Sequence, residues 1–457
     1  MNYELLFDAL KSRRIRIAVT GASGGFGRSL LVQCRDIPSL DIVALCDLNT
    51  QGAQDLLQEL NYGKEATVCD DAASTLDAQA QGKTAIVADF NLLDNLELDM
   101  VIEATGKPEI SVRIAVNALQ RGVHVGMVSK ETDSVAGPWL NNMALKHNAV
   151  YTTVDGDQPA NLLGLITWAR VLGFDVIAAG KSSEYDYVWS QTSGELDYCG
   201  RKVDAKALAG HWALGEDVQS TLAERKALLS MLPLSATPDY CEMNVVANSA
   251  ALVPACDALN YPLCHISELA DVFIPLEEGG ILTQTGVVDV FNCLRRDDEV
   301  SFGGGVFIIV RCKDDASWEM LAGKGHVVGR NRKYACIYLP YHIMGLESPH
   351  SIFSAVLHQR SSGSTQQAIY AVMAGYADRD LKKGELLEMG GHHHTIPDVS
   401  ARLLAKADAE QVAPYYLLSN KVLTRDVAAG ELIKLDALEM EDSLLWTAWQ
   451  ESWDMEH

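Results

Sequence analysis

The sequence predicts an α/β protein. An N-terminal doubly wound parallel sheet leads, an α+β middle segment follows, and a small β-rich segment closes the chain. Three observations predict this. Short apolar strands alternate with helical stretches through the first third, the pattern of strands joined by right-handed crossovers. The first strand runs straight into a glycine-rich turn, Gly21-Ala-Ser-Gly-Gly-Phe-Gly27. The texture then changes twice, near Val176 and near Gln366.

Taken in order, Ile15, Ile17 and Val19 alternate as the inward face of a strand does. Gly21, Ser23, Gly24, Gly25, Phe26 and Gly27 form the turn, and Ser29–Cys34 reads as the helix leaving it. Strand, glycine turn and helix make a phosphate cradle, because glycines admit close approach and the first helical N–H groups face outward. The spacing is G-x-x-G-x-x-G rather than the commoner G-x-G-x-x-G. The next strand, Asp41–Asp47, ends in an acid 20 residues beyond Gly27. A dinucleotide-binding fold places there the carboxylate that holds the adenosine ribose hydroxyls. A carboxylate at Asp47 favours NAD, with NADP as the alternative, since it repels a 2′-phosphate. No arginine stands in Leu48–Thr50 to offset it.

Residues 50–82 read as helices, Thr84–Asp89 as a strand, and Leu98–Gly106 as a strand ending in a Thr105-Gly106 turn beside the nicotinamide. A helix near 108–121, a strand from His124 toward Ser129 and Lys130, a strand at 149–154 and a helix through Leu162–Leu172 complete the first domain, set at 1–165. Thr105, Ser129, Lys130, Glu131, Asp155 and Asp157 fall at the carboxyl ends of strands, where ligands of such folds lie. A second domain for substrate and dimerisation, 166–365, starts with the strand Val176–Lys181. It carries a helix near Asp217–Leu229 and apolar pieces at 242–252, around 273–275 and at 304–310 that suggest a second sheet. Its tail is free to return to the first domain. Two versions of one turn, at Leu381–Leu386 and Thr424–Leu432, mark 366–457 as a separate small domain.

Composition excludes several classes. The 457 residues are 48% hydrophobic and 21% charged, ordinary for a globular chain, and a net charge of −24 repels nucleic acid and anionic membrane. No stretch is apolar enough to span a bilayer. Ten cysteines stand singly, pointing to reduced thiols and a cytosolic setting. Cys256, Cys264 and His265 match no standard zinc spacing. The run His392-His-His394 suits a loop surface better than one ion. His342 is an ordinary half-buried histidine or a weak site candidate.

Taken together, the chain resembles the homoserine dehydrogenase-like oxidoreductases. Within them it is most similar to the 1-deoxy-D-xylulose 5-phosphate reductoisomerase-like branch with a C-terminal SAF domain. The resemblance rests on Gly21–Gly27, Glu103–Glu109, Met127–Asp133, Gly156–Pro159, Ala179–Lys181, Glu277–Gly280 with Gly286–Asp289, and Pro340–His342 with Leu346-Glu347. It implies a Rossmann fold, a nicotinamide cofactor and a homodimer or homotetramer. The turn Val128-Ser-Lys130 is closer to homoserine dehydrogenases than to the reductoisomerase-like branch, where an apolar residue is expected.

Hydride transfer needs a proton moved at the carbinol oxygen and a donor for the developing alkoxide. Lys181 and Lys130 resemble the lysine pair of homoserine dehydrogenases and are expected to serve, an ordinary surface lysine being the alternative for each. Asp157, Glu131 and Glu278 could orient a lysine, bind substrate hydroxyls or hold a divalent ion, the metal requirement staying open. The expected function is hydride transfer to or from a small hydroxy acid or sugar-derived, even phosphorylated, substrate, with or without isomerisation. Reductoisomerase activity, homoserine dehydrogenase activity and non-catalytic dinucleotide sensing are the alternatives.

Overall fold

The computed structural model describes residues 2–391, 394–440 and 442–455. The described chain divides into two compact units. The first holds 1–160, 343–369 and 440–457, and the second 161–342 and 370–439.

The first unit is a doubly wound α/β sheet. Its strands are β1 (Ile15–Thr20), β2 (Leu40–Cys46), β3 (Ala66–Val68), β4 (Thr84–Val87), β5 (Met100–Glu103), β6 (His124–Met127) and β7 (Tyr151–Thr153). All pair in parallel in the order β3-β4-β2-β1-β5-β6-β7. The order reverses beside β1, and a crevice opens at such a switch point. A short helix α1 (Tyr3–Leu6) precedes α2 (Gly25–Asp36), α3 (Thr50–Glu59), α4 (Ala72–Ala80), α5 (Pro108–Gln120) and α6 (Lys130–Lys146). Every strand but β3 is buried on both faces, with Ile15, Ile17, Val19, Ile42, Leu45, Ile86 and Ile102 sealed from water. The stretch 50–82, read as helical, breaks into two helices around β3, whose three half-exposed or exposed residues sit at the sheet edge. So short a strand leaves almost no period to read.

The second unit starts inside α7 (Gln158–Val171). Its mixed sheet comprises β8 (Val176–Ser182), β9 (Tyr187–Trp189), β10 (Glu195–Tyr198), β11 (Arg201–Asp204), β12 (Val253–Pro254), β13 (Leu263–Cys264), β14 (Val287–Arg296), β15 (Val306–Arg311) and β16 (Tyr334–Leu339). The main order is β11-β10-β9-β14-β8-β15-β16, with β12 and β13 beside β14. The helix expected near 217–229 is α8 (Val218–Leu228). The stretch 242–252, expected as sheet, lies instead in α9 (Thr237–Ala250) and the two residues that follow it. Almost every residue from Asp239 to Ala250 is buried, so this helix shows no polar stripe to betray its period. Residues 273–275 likewise lie outside any strand.

Residues 370–439, set apart on sequence as a third domain, cluster with the second unit. The strands β17 (Ala371–Ala377) and Val399–Ala405 pair with each other and are tied to the rest of the unit. Asn244 Nδ2 donates to Ala371 O at 3.0 Å, and Asn248 Oδ1 accepts from the amides of Tyr370 and Ala371 at 2.8 and 2.9 Å. The last helix, Leu444–Asp454, returns to the first unit, where Trp139 Nε1 donates to Glu451 Oε2 at 2.7 Å. Among the described residues, no helix is long and apolar enough to cross a membrane.

Candidate active site

In the first unit, the glycine turn is built by contacts that only glycine tolerates. Gly21 has φ +64°, and a Cβ there would fall 2.3 Å from Ala104 O. One on Gly27 would fall 2.6 Å from Ala22 O. Gly25 differs, since its nearest neighbour would be Met344 Cε at 3.8 Å, so its Cα faces open space. Gly24 caps α2 with extended backbone and no side-chain hydrogen bond, leaving the first-turn N–H groups free to hold an anion. These residues fit a dinucleotide pyrophosphate. Asp47 Oδ2 accepts from Ser23 N at 2.9 Å and Ser23 Oγ at 2.5 Å, while Oδ1 accepts from Asn49 N at 2.9 Å. The carboxylate that suits a ribose therefore also ties down the turn.

One wall of this turn escaped the sequence. Residues 343–348 return onto the start of α2. Gly345 N donates to Ser29 Oγ at 3.0 Å, and a Cβ on Gly345 would meet Leu30 N at 2.5 Å. Gly156, with φ +94°, lies so close to Met344 that a Cβ would fall 1.8 Å from its carbonyl oxygen. The motifs at 156 and 346–347, singled out by resemblance, are thus two sides of one packed turn.

The ends of β1, β5 and β6 carry a buried polar cluster. Glu103 is sealed from solvent, and Thr105 donates to its Oε1 from N at 3.0 Å and from Oγ1 at 2.6 Å. Thr105 Oγ1 lies 2.9 Å from Ser111 Oγ, and Gly106 N donates to Ser129 Oγ at 2.8 Å. Burial pushes the Glu103 carboxyl above its ordinary range, against the hydrogen bonds it accepts. Thr105, Gly106 and Ser129 are therefore held rigidly at the strand ends. Lys130, half-buried, opens α6, and Glu131 beside it is 8% exposed. Asp157 Oδ1 accepts from Gln158 N at 3.0 Å. Asp155 is engaged by Ser351 Oγ and Ser362 Oγ, both at 2.6 Å. These four sit at the ends of the neighbouring strands β6 and β7.

Asp133, one turn into α6, is 4% exposed and takes a 2.9 Å hydrogen bond from Tyr151 OH. Burial pushes its carboxyl up to about 7, the bond from Tyr151 opposing and Asp157 adding. An acid whose folded value is raised binds its proton more tightly folded than unfolded. Its stabilisation is present when the solution is acidic and fades as the pH climbs from the unfolded value of ~4 toward about 7. Asp133→Asn is expected to raise the melting temperature at pH ~8 and to flatten its slope between pH ~5 and ~7. An unchanged slope by calorimetry would refute the assignment.

In the second unit, Lys181 is the last residue but one of β8 and is 1% exposed. Its Nζ donates to Asp239 Oδ1 at 2.6 Å and to Glu242 Oε2. Ser183 Oγ and Tyr261 OH hold the other oxygen of Asp239, at 2.8 and 3.1 Å. Burial raises the Asp239 carboxyl above its usual range, with Lys181 opposing and Glu242 adding. Beyond it, the sealed Asp289 accepts from Asn260 N at 2.8 Å and Nδ2 at 2.6 Å, and burial pushes it up to about 6. Sequence reasoning named Lys181 and missed Asp239 and Glu242. The available signal was two acids three residues apart at the start of an otherwise apolar run.

Glu278 lies elsewhere. It bonds Tyr334 OH at 3.0 Å and Lys333 Nζ at 3.0 Å, and Lys333 holds its carboxyl below the usual range. Tyr334 pairs with Arg311 and Lys181 with Val306, opposite ends of β15. At about 3.3 Å per residue, Glu278 is therefore tied down roughly 15 Å along the sheet from Lys181. His342 packs over Gly304, where a Cβ would fall 2.7 Å from its ring. His265 contacts Leu294 O and Trp212 O, and the thiols of Cys256 and Cys264 are raised by burial. His392 and His393 lie outside the described residues. Among the described residues, no group of three or more His, Cys, Asp or Glu is placed to hold a metal ion.

Residues 156–348 match the family model described as oxidoreductase DRL, catalytic domain. The middle of the chain is similar to an oxidoreductase. No curated protein matches the chain. Among solved structures, a hyperthermophilic archaeal homoserine dehydrogenase in complex with NADPH is 14% identical over 75% of this chain and 98% of its own, with a TM-score of 0.37. A 1-deoxy-D-xylulose 5-phosphate reductoisomerase from Zymomonas mobilis in complex with NADPH is 15% identical over 76% and 82%, at 0.32. A DOX-P reductoisomerase with fosmidomycin and magnesium is 18% identical over 51% of this chain, at 0.31. This chain spans 57% of that reductoisomerase's length, little more than half.

Proposed function

We propose that the protein is a nicotinamide-dinucleotide-dependent oxidoreductase acting on a small hydroxy acid or sugar-derived substrate, phosphorylated ones included. The observation that carries this reading is Lys181, buried between Asp239 and Glu242 inside the stretch similar to an oxidoreductase catalytic domain. A sealed lysine bridging two acids costs stability to assemble, and perturbed buried groups of this kind gather where chemistry is done.

The dinucleotide, when bound, supplies the hydride carrier. The turn from Gly21 to Gly27 would take its pyrophosphate at the start of α2, and Asp47 its ribose hydroxyls. Asp47 favours NAD by placing a negative charge where a 2′-phosphate would come. Two carboxylates hold Lys181 as an ammonium, so it donates to the substrate oxygen and stabilises charge developing there. In the oxidising direction the hydroxyl proton passes to Lys181 as Lys181 gives one of its own to Asp239 or Glu242. Burial makes Asp239 a better proton acceptor than an exposed aspartate. Ser183 and Tyr261 keep Asp239 aimed at the lysine.

The test is a screen of hydroxy acids, amino-alcohol acids and sugar phosphates with NAD and NADP, followed by nicotinamide absorbance. Turnover of one of these by the native chain is the expected result. No turnover across the panel, in either direction, would leave dinucleotide sensing as the better account.

A further inference from the structure

The second unit carries a concave site away from Lys181. An open cleft of about 600 Å³ is lined by Trp189, Gln191, Thr192, Lys206, Trp212 and Arg296 among others, a size ordinary for small-molecule sites. Its position follows from strand register. Lys181 pairs with Val290 and Trp189 with Arg296, six residues further along β14. At about 3.3 Å per residue the two places lie roughly 20 Å apart along that strand.

The cleft wall is rigid. The indoles of Trp189 and Trp212 stack with centroids 4.7 Å apart, and the Arg296 guanidinium lies 5.2 Å above the Trp212 ring. Trp212 O is clamped from behind by Arg225 Nη2 at 2.5 Å and His265 Nε2 at 2.9 Å. Arg225 is itself sealed from water and paired with Glu268. Gly194, at φ +72°, lets the backbone pass against Lys206, where a Cβ would fall 2.4 Å from its Cγ.

Lys206 Nζ is paired with Asp204 Oδ2 at 3.2 Å, but two other donors here lack acceptors. Trp189 is 3% exposed, and its Nε1 is buried without a hydrogen-bond partner, as is Nε of Arg296. Among the described residues, no carboxylate pairs with the Arg296 guanidinium, although the chain carries a net charge of −24. An unmet buried donor is costly, and an unpaired arginine in so acidic a chain calls for an anion. Gln191, Thr192 and Ser193 are exposed around the cleft and offer amide and hydroxyl groups suited to a polyol.

We propose that this cleft is a second, non-catalytic binding site for a small anionic polyol, phosphorylated or carboxylated. Arg296 receives the anion, the Trp189 indole N–H adds a donor, and the 191–193 turn reads the hydroxyls. The site stands independently of the proposed activity.

The test titrates glycerol 3-phosphate and D-gluconate separately into the full-length protein, by calorimetry and by quenching of tryptophan fluorescence. The native chain is expected to bind at least one of them saturably. Arg296→Gln should weaken that binding roughly 10- to 100-fold, the range for losing a charged hydrogen bond. Thr192→Glu, on an exposed residue, should do the same by repulsion while leaving the melting temperature unchanged. Lys181→Arg should leave the binding as it is. Binding of neither probe, or binding that survives both cleft substitutions, would overturn the proposal.

Discussion

Lys181→Met is expected to lower turnover by roughly 10²- to 10⁴-fold, the usual loss when a proton-transferring group is removed. Dinucleotide affinity should hardly change, because Lys181 Nζ is turned to Asp239 and Glu242 of its own unit. The substitution also strands Asp239 and Glu242, both buried, without their cation. Removing one partner of a buried ion pair costs about 3–5 kcal/mol. The sign with pH follows from that. The stranded acids are stabilised by protonation, so the variant should regain stability as the pH falls from ~8 to ~5. Lys181→Arg separates the two effects. It restores the charge, and most of the stability with it, but a guanidinium does not give up its proton, so turnover should stay low. Near-normal turnover in Lys181→Arg would remove proton transfer from this residue.

Truncation after residue 365 should abolish folding rather than release a separable domain. It removes the strands at 371–377 and 399–405, whose backbone is bonded by Asn244 and Asn248 of α9 and, at Leu403, by Asp257. It also removes the helix Leu444–Asp454, which buries Leu445 and Trp449 to 1% and 4% exposure in the first unit. Those two side chains alone account for about 3–6 kcal/mol of burial, against a typical total stability of about 5–15 kcal/mol. Insoluble expression, or loss of a cooperative melt, is the expected outcome. A soluble truncated chain that melts cooperatively would contradict the packing described.

The contrast between these two regions shows what the sequence discloses. The turn from Gly21 to Gly27 and the acid at Asp47 were legible because backbone constraints write themselves as glycines. The strand alternation was legible too, since a doubly wound sheet repeats one local pattern. The helix α9 was hidden because burial on every side erases its polar face, and with it went Asp239 and Glu242. The return of 343–348 onto α2 and the bond from Trp139 to Glu451 join residues more than 300 positions apart. No local pattern records such contacts, and the change of texture near Gln366 suggested a domain boundary instead.

The central claim is that the glycine turn holds a dinucleotide. It is tested most directly by titrating NADH and NADPH into the native chain and into Gly25→Val. Because only Met344 Cε approaches within 4 Å of a Cβ at Gly25, the variant should fold and melt as the native chain does. Its side chain, though, would fill the space the pyrophosphate needs. Binding of NADH by the native chain is expected, roughly tenfold or more tighter than NADPH because of Asp47, with a loss of about tenfold or more in Gly25→Val. Failure of the native chain to bind either dinucleotide at millimolar concentration, or unaltered binding by Gly25→Val, would contradict it.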